Sequence, residues 1–423
     1  MKYDIRAIRS VLIVIAGLFL ASNGNAQTIA SFIREAAVEN GFLPAVDTHR
    51  QTNLQLAGLG QRFFESKFLS LNGNIACVDC HLDKLSSADG IANAIGVGGV
   101  SSGQDRVTAG GAIVPRNTLP MWGVGGIGYE RFFWDGKVDG SSGNEIISQF
   151  GDEAPTTDAL EVAVHLPVVE IREMLQEDIF VHSAKKESVE SADRVYKAIL
   201  DNLHVNEADA VEGLSNYLQI PLREITYQDV ASAIAEFIRT KFALQETKFH
   251  NFVFNDGQLS DSEMLGARIF YGKGKCAVCH SGPYLTDFEF HTIAYPQRGF
   301  GKNGFGVDYG RFNVTHKPDD LYKFRTPPLF NIVATSPYGH SGSIDSIATA
   351  IVGHFDPLRI FNSAEATNFE RAEYYKVMLA ASEDLLKIAF LSDNEVESVI
   401  AFLGSLSFEP SFPSENEARR LNR

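Results

Sequence analysis

The sequence predicts a mainly α-helical protein made of two duplicated domains with long loops. One observation is that four short segments occur in the same order in both halves of the 423-residue chain, offset by about 200 residues, as a duplication would leave them. The paired segments are Leu59–Phe64 with Leu265–Phe270, Cys77–His81 with Cys276–His280, Arg116–Pro120 with Arg325–Leu329, and Phe132–Gly136 with Pro337–Gly342. Helix-start patterns and glycine-rich stretches are the other observations.

Three helix starts are visible in the sequence. Thr226, Ser260 and Ser392 are each followed three residues later by an acidic residue, the pattern of a capping box. Apolar residues then recur at helical spacing, and Gly404 is placed to end the third of these helices. The glycine-rich stretches 90–111 and 299–310 are typical of loops that wrap a cofactor or the domain junction.

Two motifs carry the chemistry, Cys77-Val78-Asp79-Cys80-His81 and Cys276-Ala277-Val278-Cys279-His280. This spacing is typical of covalent haem attachment, in which two thiols form thioethers with the porphyrin and the histidine binds the iron. A disulfide, a redox-active Cys-x-x-Cys and a four-cysteine zinc site are the alternatives. The two copies use every cysteine in the chain and each ends in histidine, which favours two haem c groups in two cytochrome c-like domains.

The first 26 residues are typical of a secretion signal. Three basic residues precede the apolar run 11–20, and small residues at 24–26 suit a cleavage site. The run is about half of the ~20 residues that a membrane span needs, so we expect no span. Export agrees with haem c, and we predict a periplasmic protein with domains at 27–240 and 241–407 and a polar tail at 408–423.

The formal net charge is −16 at pH 7, which argues against nucleic acid as a partner because phosphate binding favours excess lysine and arginine. An acidic surface could steer a basic protein partner, or it could serve only solubility.

The ordered set of motifs resembles the bacterial dihaem cytochrome c peroxidases and the methylamine-utilisation protein MauG. Beyond the two haem motifs, the matching segments are Arg116-Asn117, Phe133–Gly136, Glu173-Met174, Phe324–Leu329 and Pro337–His340. The resemblance implies a dihaem oxidoreductase. Its N-terminal haem reduces hydrogen peroxide, and its C-terminal haem relays electrons from a small redox protein or a protein substrate.

Roles for single residues follow from the same resemblance. Trp134 matches the tryptophan between the haems, and Glu173 matches the acid–base glutamate, although a shifted register would select Glu170. Calcium between the domains is implied as well, with Asn117 at the position of one ligand. Members are often dimeric, which makes a homodimer an option.

Iron coordination at the first haem departs from the family pattern. Classical members place a histidine between the first haem motif and the Arg-Asn loop, and here no histidine occurs from Leu82 to Val164. We therefore expect His81 on one side of the iron and an open or water-filled position on the other, as peroxide activation requires. No reductive activation step should be needed.

The second haem departs from the peroxidases in another way. Tyr322 occupies the position of their methionine ligand, and tyrosine is what the MauG pattern supplies. The resemblance therefore implies Tyr322 opposite His280, with His291, His316 and His340 as rival ligands.

Two other classes of function stay open at this stage. A dihaem electron carrier would need both irons to be six-coordinate, and a haem-based sensor would bind a small ligand without turnover.

Overall fold

The computed structural model describes residues 28–143, 145–176 and 188–409, and these residues are mainly helical, as predicted. The predicted secretion signal and nearly all of the predicted polar tail lie outside the described residues. Within the described ranges, we find no helix with the length and apolar character that crossing a bilayer requires.

The helices are connected by long loops and short 3₁₀ turns. In chain order they are α1 (28–39), α2 (Leu54–Glu65), α3 (Gln104–Thr108), α4 (Ala159–His165), α5 (Val189–Asn206), α6 (Ala208–Leu218), α7 (Tyr227–Lys241), α8 (Lys248–Phe254), α9 (Asp261–Tyr271), α10 (Phe312–Thr315), α11 (Ile347–Gly353), α12 (Pro357–Ile360), α13 (Asn368–Leu379) and α14 (Asp393–Gly404).

The strands are two residues long and form three antiparallel pairs. They are β1 (Arg131–Phe132), β2 (Val138–Asp139), β3 (Phe290–His291), β4 (Phe300–Gly301), β5 (Gly304–Phe305) and β6 (Phe324–Arg325). β1 pairs with β2, β4 with β5, and β3 with β6. The β3–β6 pairing joins two loops of the second half of the chain.

The predicted helix starts are confirmed. Thr226, Ser260 and Ser392 each start a helix with a capping box, at α7, α9 and α14. The Thr226 and Ser260 side chains each accept the N–H of the residue three positions on, and at Ser392 the Glu395 carboxylate accepts the Ser392 N–H. Gly404 is the last residue of α14, but the C-cap is Ser405 in right-handed conformation (φ −71°). The helix therefore ends without a left-handed glycine.

Two helix crossings hold the two haem motifs. α2, which leads into the first motif, packs on α7, and α9, which leads into the second, packs on α14. A Cβ on Gly60 of α2 would lie 1.8 Å from the Ala233 carbonyl oxygen, and a Cβ on Gly266 of α9 would lie 1.9 Å from that of Ser398. These are the glycines of the repeated Leu-Gly-x-Arg segment, so each repeat marks the point where the helix backbones touch.

We expect Gly60→Ala to destabilise the protein by about 1–3 kcal/mol, because the added methyl overlaps a backbone carbonyl and forces the two helices apart. Urea unfolding of the haem-loaded protein measures the change. Gly58 lies in the same helix with nothing within 4 Å of its Cβ position, and Gly58→Ala should stabilise by about 0.5–1 kcal/mol. Equal effects at both positions would contradict the crossing geometry.

A buried ion-pair cluster joins the two halves of the chain. Arg116 Nη1 lies 2.6 Å from Asp135 Oδ2, and its Nε and Nη2 donate to the two carboxylate oxygens of Asp308 at 2.9 and 3.0 Å. Both aspartate side chains are fully buried. The Arg116 loop thus connects the segment after the first haem motif to the loop before β6.

Candidate active site

The first haem motif follows α2 and opens onto a cavity, the first cavity, which Cys77, Cys80 and His81 line. His81 Nδ1 lies 3.0 Å from the Ser87 carbonyl oxygen, which leaves Nε2 as the free ring nitrogen. Burial lowers the pKa of His81 to about 4, so the imidazole is neutral, as a metal ligand must be.

The second motif follows α9 in the same way and opens onto a second cavity, lined by Cys276, Cys279 and His280. His280 Nδ1 lies 3.1 Å from the Leu285 carbonyl oxygen, so Nε2 is again the free nitrogen. Burial lowers the pKa of His280 to about 4 as well. The two motifs therefore present the same donor set to two separate cavities.

This donor set fits haem c. Each cavity offers two thiols on one edge and one neutral imidazole whose orientation is fixed through its other nitrogen, the usual support of a metal-binding histidine. All four cysteines are free, so the disulfide alternative fails, and the pairs line different cavities, so they cannot share one zinc ion.

Trp134 lies between the two cavities and lines both of them. Its Nε1–H donates to the Asn117 carbonyl oxygen at 2.8 Å, and its own carbonyl accepts from the Arg325 N–H at 2.7 Å. The loop of Asn117 thus holds the indole, and the loop of Arg325, from the other half of the chain, holds the backbone of Trp134.

Two glutamates of the segment after α4 line the first cavity, and their surroundings differ. Glu170 forms an ion pair with Lys137, which lowers the pKa of Glu170 although burial acts to raise it. Glu173 forms no ion pair with any described residue, and burial raises its pKa to about 7, against the opposing influence of Lys137. A buried carboxyl group with this pKa can both take and give a proton near neutral pH.

Comparisons with known proteins agree with this arrangement. A family model described as di-haem cytochrome c peroxidase matches residues 55–258. MauG of Methylorubrum extorquens is 25% identical over 359 residues, which cover 84% of this chain and 78% of the relative. The cytochrome-c peroxidase IdrP2 of Denitromonas iodatirespirans is 21% identical, with coverage of 94% and 90%.

The chain is similar to the dihaem cytochrome c peroxidases and MauG over most of its length. Among solved structures, a MauG-like protein associated with microbial copper homeostasis has a TM-score of 0.61 and 22% identity, covering 87% of this chain and 93% of the other, and shows a shared fold. Like these relatives, this chain is an oxidoreductase, and the similarity implies two c-type haems.

The placement of Tyr322 differs from what the family pattern implies. Tyr322 has left-handed backbone (φ 63°), and its N–H donates to the Tyr309 carbonyl oxygen at 3.0 Å. Tyr322 lines a third cavity, together with Phe324 and His340. It is not among the residues that line the second cavity. The structure therefore does not bring Tyr322 to His280, and its role as an iron ligand stays a prediction that this placement does not support.

Of the three rival histidines, two line the second cavity but have a hydrogen-bond partner at Nε2, and the third is exposed. His291 Nε2 lies 2.8 Å from Asp287 Oδ2, and His340 Nε2 lies 2.9 Å from Gln297 Oε1 while its ring stacks on Phe324. His316 caps α10 and is exposed.

The sequence reasoning missed His354 at the end of α11, whose ring lines the second cavity with its centroid 6.5 Å from that of His280. Its only sequence signal is a histidine that ends a helix with apolar residues on one side.

The predicted calcium ligand has protein partners. Asn117 Nδ2 donates to the Pro337 carbonyl oxygen at 2.7 Å and to that of Gly339 at 3.4 Å. This side chain thus ties the first Arg loop to the turn that follows β6, and calcium at this point stays a prediction.

Proposed function

We propose that this chain is a dihaem peroxidase that reduces hydrogen peroxide at the first cavity and withdraws electrons from a partner through the second. The observation that carries the proposal is the difference between the cavities. Among the described residues that line the first cavity, His81 is the sole histidine, and the buried acid Glu173 lines it too. The second cavity is lined by four histidines, and the ring of one of them, His354, has its centroid 6.5 Å from that of His280.

The bound haems supply an iron that binds peroxide and a second centre that stores an oxidising equivalent. Reduction of one peroxide to two waters consumes two electrons and two protons. Glu173 accepts the proton of the incoming peroxide and returns it to the leaving oxygen, which departs as water. The Lys137–Glu170 ion pair fixes the ammonium group beside Glu173, and the largely apolar lining of the cavity limits access of bulk water.

Trp134 is the proposed route for electrons between the two centres, because it lines both cavities and its indole is held by a hydrogen bond. The electron donor is either a small redox protein or a side chain of a protein substrate. The absence of a histidine from 82 to 164 favours a protein substrate as the donor. Tyr322 as a MauG-like iron ligand would favour it too, but Tyr322 does not line the second cavity.

The proposed organisation is two duplicated haem domains, at 27–240 and 241–407, in a protein that is exported to the periplasm. The matched crossings of α2 on α7 and of α9 on α14, with a glycine at each contact, support the duplication. The basic and apolar pattern of residues 1–26 supports export.

Adding stoichiometric peroxide to the purified ferric protein tests the function. A peroxidase should give an oxidised spectrum that an added donor discharges with two electrons per peroxide, and its ferric EPR spectrum should contain one high-spin haem. An electron carrier would show two low-spin haems and no change. A sensor would bind peroxide without consuming it.

Trp134→Phe should slow the oxidation of the second haem after peroxide addition, because phenylalanine is harder to oxidise and cannot donate to the Asn117 carbonyl. Rapid mixing with detection in the absorbance of the second haem measures the rate. Trp122→Phe is the matched control, since Trp122 is buried, donates to the Ser86 carbonyl and lines neither cavity. Wild-type rates in both variants would remove Trp134 from the route.

A further inference from the structure

His354 and His280 both line the second cavity. Their ring centroids are 6.5 Å apart, with 60° between the ring planes. In both rings Nδ1 is engaged by a carbonyl oxygen, that of Leu285 for His280 at 3.1 Å and that of Ala350 for His354 at 2.8 Å. Each ring therefore keeps Nε2 free, and both rings line the same cavity.

We propose that His354 is the second axial ligand of the haem attached to Cys276 and Cys279, so that this haem is ligated by two histidines. The proposal depends on the two haem c sites and not on peroxide chemistry, so it can hold even if the proposed function fails.

The spacing of the rings agrees with one shared metal ion. A histidine nitrogen binds a metal at about 2 Å, and a ring nitrogen lies a little over 1 Å from its own centroid, so two axial imidazoles need centroids roughly 6–6.5 Å apart. The angle between the ring planes is not restricted, since each ring can rotate about its own metal–nitrogen bond. Contacting rings with no space for an ion would lie about 2 Å closer together.

The chain holds His354 in this orientation from several sides. Ser346 accepts the Thr349 N–H at 3.1 Å and starts α11, and His354 ends that helix. The Tyr295 hydroxyl donates to the Ala350 carbonyl at 2.6 Å and lies 3.3 Å from His354 Nδ1. In metal-binding histidines, such hydrogen bonds at the ring nitrogen that does not bind the metal fix the ring orientation and raise the basicity of the other nitrogen.

Gly353 allows this arrangement. A Cβ at this position would lie 2.6 Å from Tyr295 Cε1, so the tyrosine ring occupies the space that a side chain would need. Tyr295 then packs edge-on against the His354 ring, with centroids 5.8 Å apart.

The other candidate ligands fit less well. Tyr322 lines the third cavity, and no methionine is among the residues that line the second. His291 lies beside Cys279 with its Nε2 on Asp287, at the attachment edge, and His340 is stacked on Phe324 with its Nε2 on Gln297. Among the described histidines that line this cavity with His280, His354 alone keeps Nε2 free, since its hydrogen bonds are at Nδ1.

Spectroscopy of the ferric wild-type protein, purified with both haems attached, gives the first test. EPR and near-infrared magnetic circular dichroism should show a low-spin haem with two imidazole ligands. A spectrum of imidazole with phenolate would overturn the proposal and restore Tyr322, and one of imidazole with thioether would overturn it as well.

His354→Ala should convert one of the two haems from low-spin to high-spin, and added imidazole should restore the low-spin signal. Tyr322→Phe is the matched control and should leave the spectrum unchanged. If His354→Ala fails to accumulate, His354→Met replaces it and should raise the reduction potential of this haem, because methionine ligation favours ferrous iron. An unchanged low-spin signal in the alanine variant, or a changed one in Tyr322→Phe, would overturn the assignment.

Discussion

Glu173→Gln should slow the reaction of the ferric protein with hydrogen peroxide by about 10²- to 10⁴-fold, the usual contribution of a positioned acid–base group. Glutamine preserves the shape of the side chain but cannot accept a proton. Stopped-flow mixing with peroxide, followed in the haem absorbance, measures the rate. The low-spin EPR signal of the second haem should stay unchanged, because Glu173 lines the first cavity and not the second.

The pH dependence of the same rate identifies the group. Because burial raises the pKa of Glu173 to about 7, the wild-type rate should rise with pH through about 7 as the carboxyl group loses its proton. In Glu173→Gln that rise should disappear. A rise that persists unchanged in the variant would mean that another group takes the proton.

Glu170→Gln is the matched variant, since this glutamate lies in the same segment but is paired with Lys137. The negative charge of Glu170 raises the pKa of Glu173, and Lys137 lowers it. Glu170→Gln should therefore keep the fast reaction and move its pH midpoint downward. Loss of the rate in Glu170→Gln, with a normal rate in Glu173→Gln, would transfer the acid–base role to Glu170.

Features encoded by contiguous residues could be predicted from the sequence. Haem attachment needs two cysteines and a histidine within five residues, and a capping box needs two residues three apart, so both leave a local trace. The repeated Leu-Gly-x-Arg segment was visible too. The physical reason for the repeat could not be predicted, because Gly60 and Gly266 approach backbone carbonyls that lie far along the chain.

The second ligand of the C-terminal haem could not be predicted in this way. His354 reaches the second cavity because α11 packs across it, and no spacing relates this residue to His280. Tyr322 shows the opposite case. The family pattern gives its position in the chain, but the left-handed backbone at this residue and its bond to Tyr309 direct the ring to the third cavity.

Arg116→Met should lower the free energy of unfolding at neutral pH by about 3–5 kcal/mol, because it leaves the buried carboxylates of Asp135 and Asp308 without their cation. Urea unfolding of the haem-loaded protein measures this loss. The exposed pair of Arg298 with Asp345 offers a matched control, and Arg298→Met should cost at most about 1 kcal/mol. Equal costs would mean that the buried cluster does not hold the two halves together.

Acid should reduce the difference between Arg116→Met and the wild type. Arg116 lowers the pKa of Asp135 to about 2 although burial acts to raise it, and it also lowers the pKa of Asp308. A carboxyl group with a depressed pKa stabilises the folded state above its ordinary pKa of about 4, and the contribution is lost as the pH falls towards 2. In Arg116→Met the carboxyl groups should instead take up protons on folding, so acid relieves the cost of burying them. The gap in unfolding free energy should therefore be largest at neutral pH and shrink below about pH 4, and a gap that is constant with pH would mean that Arg116 acts through packing alone.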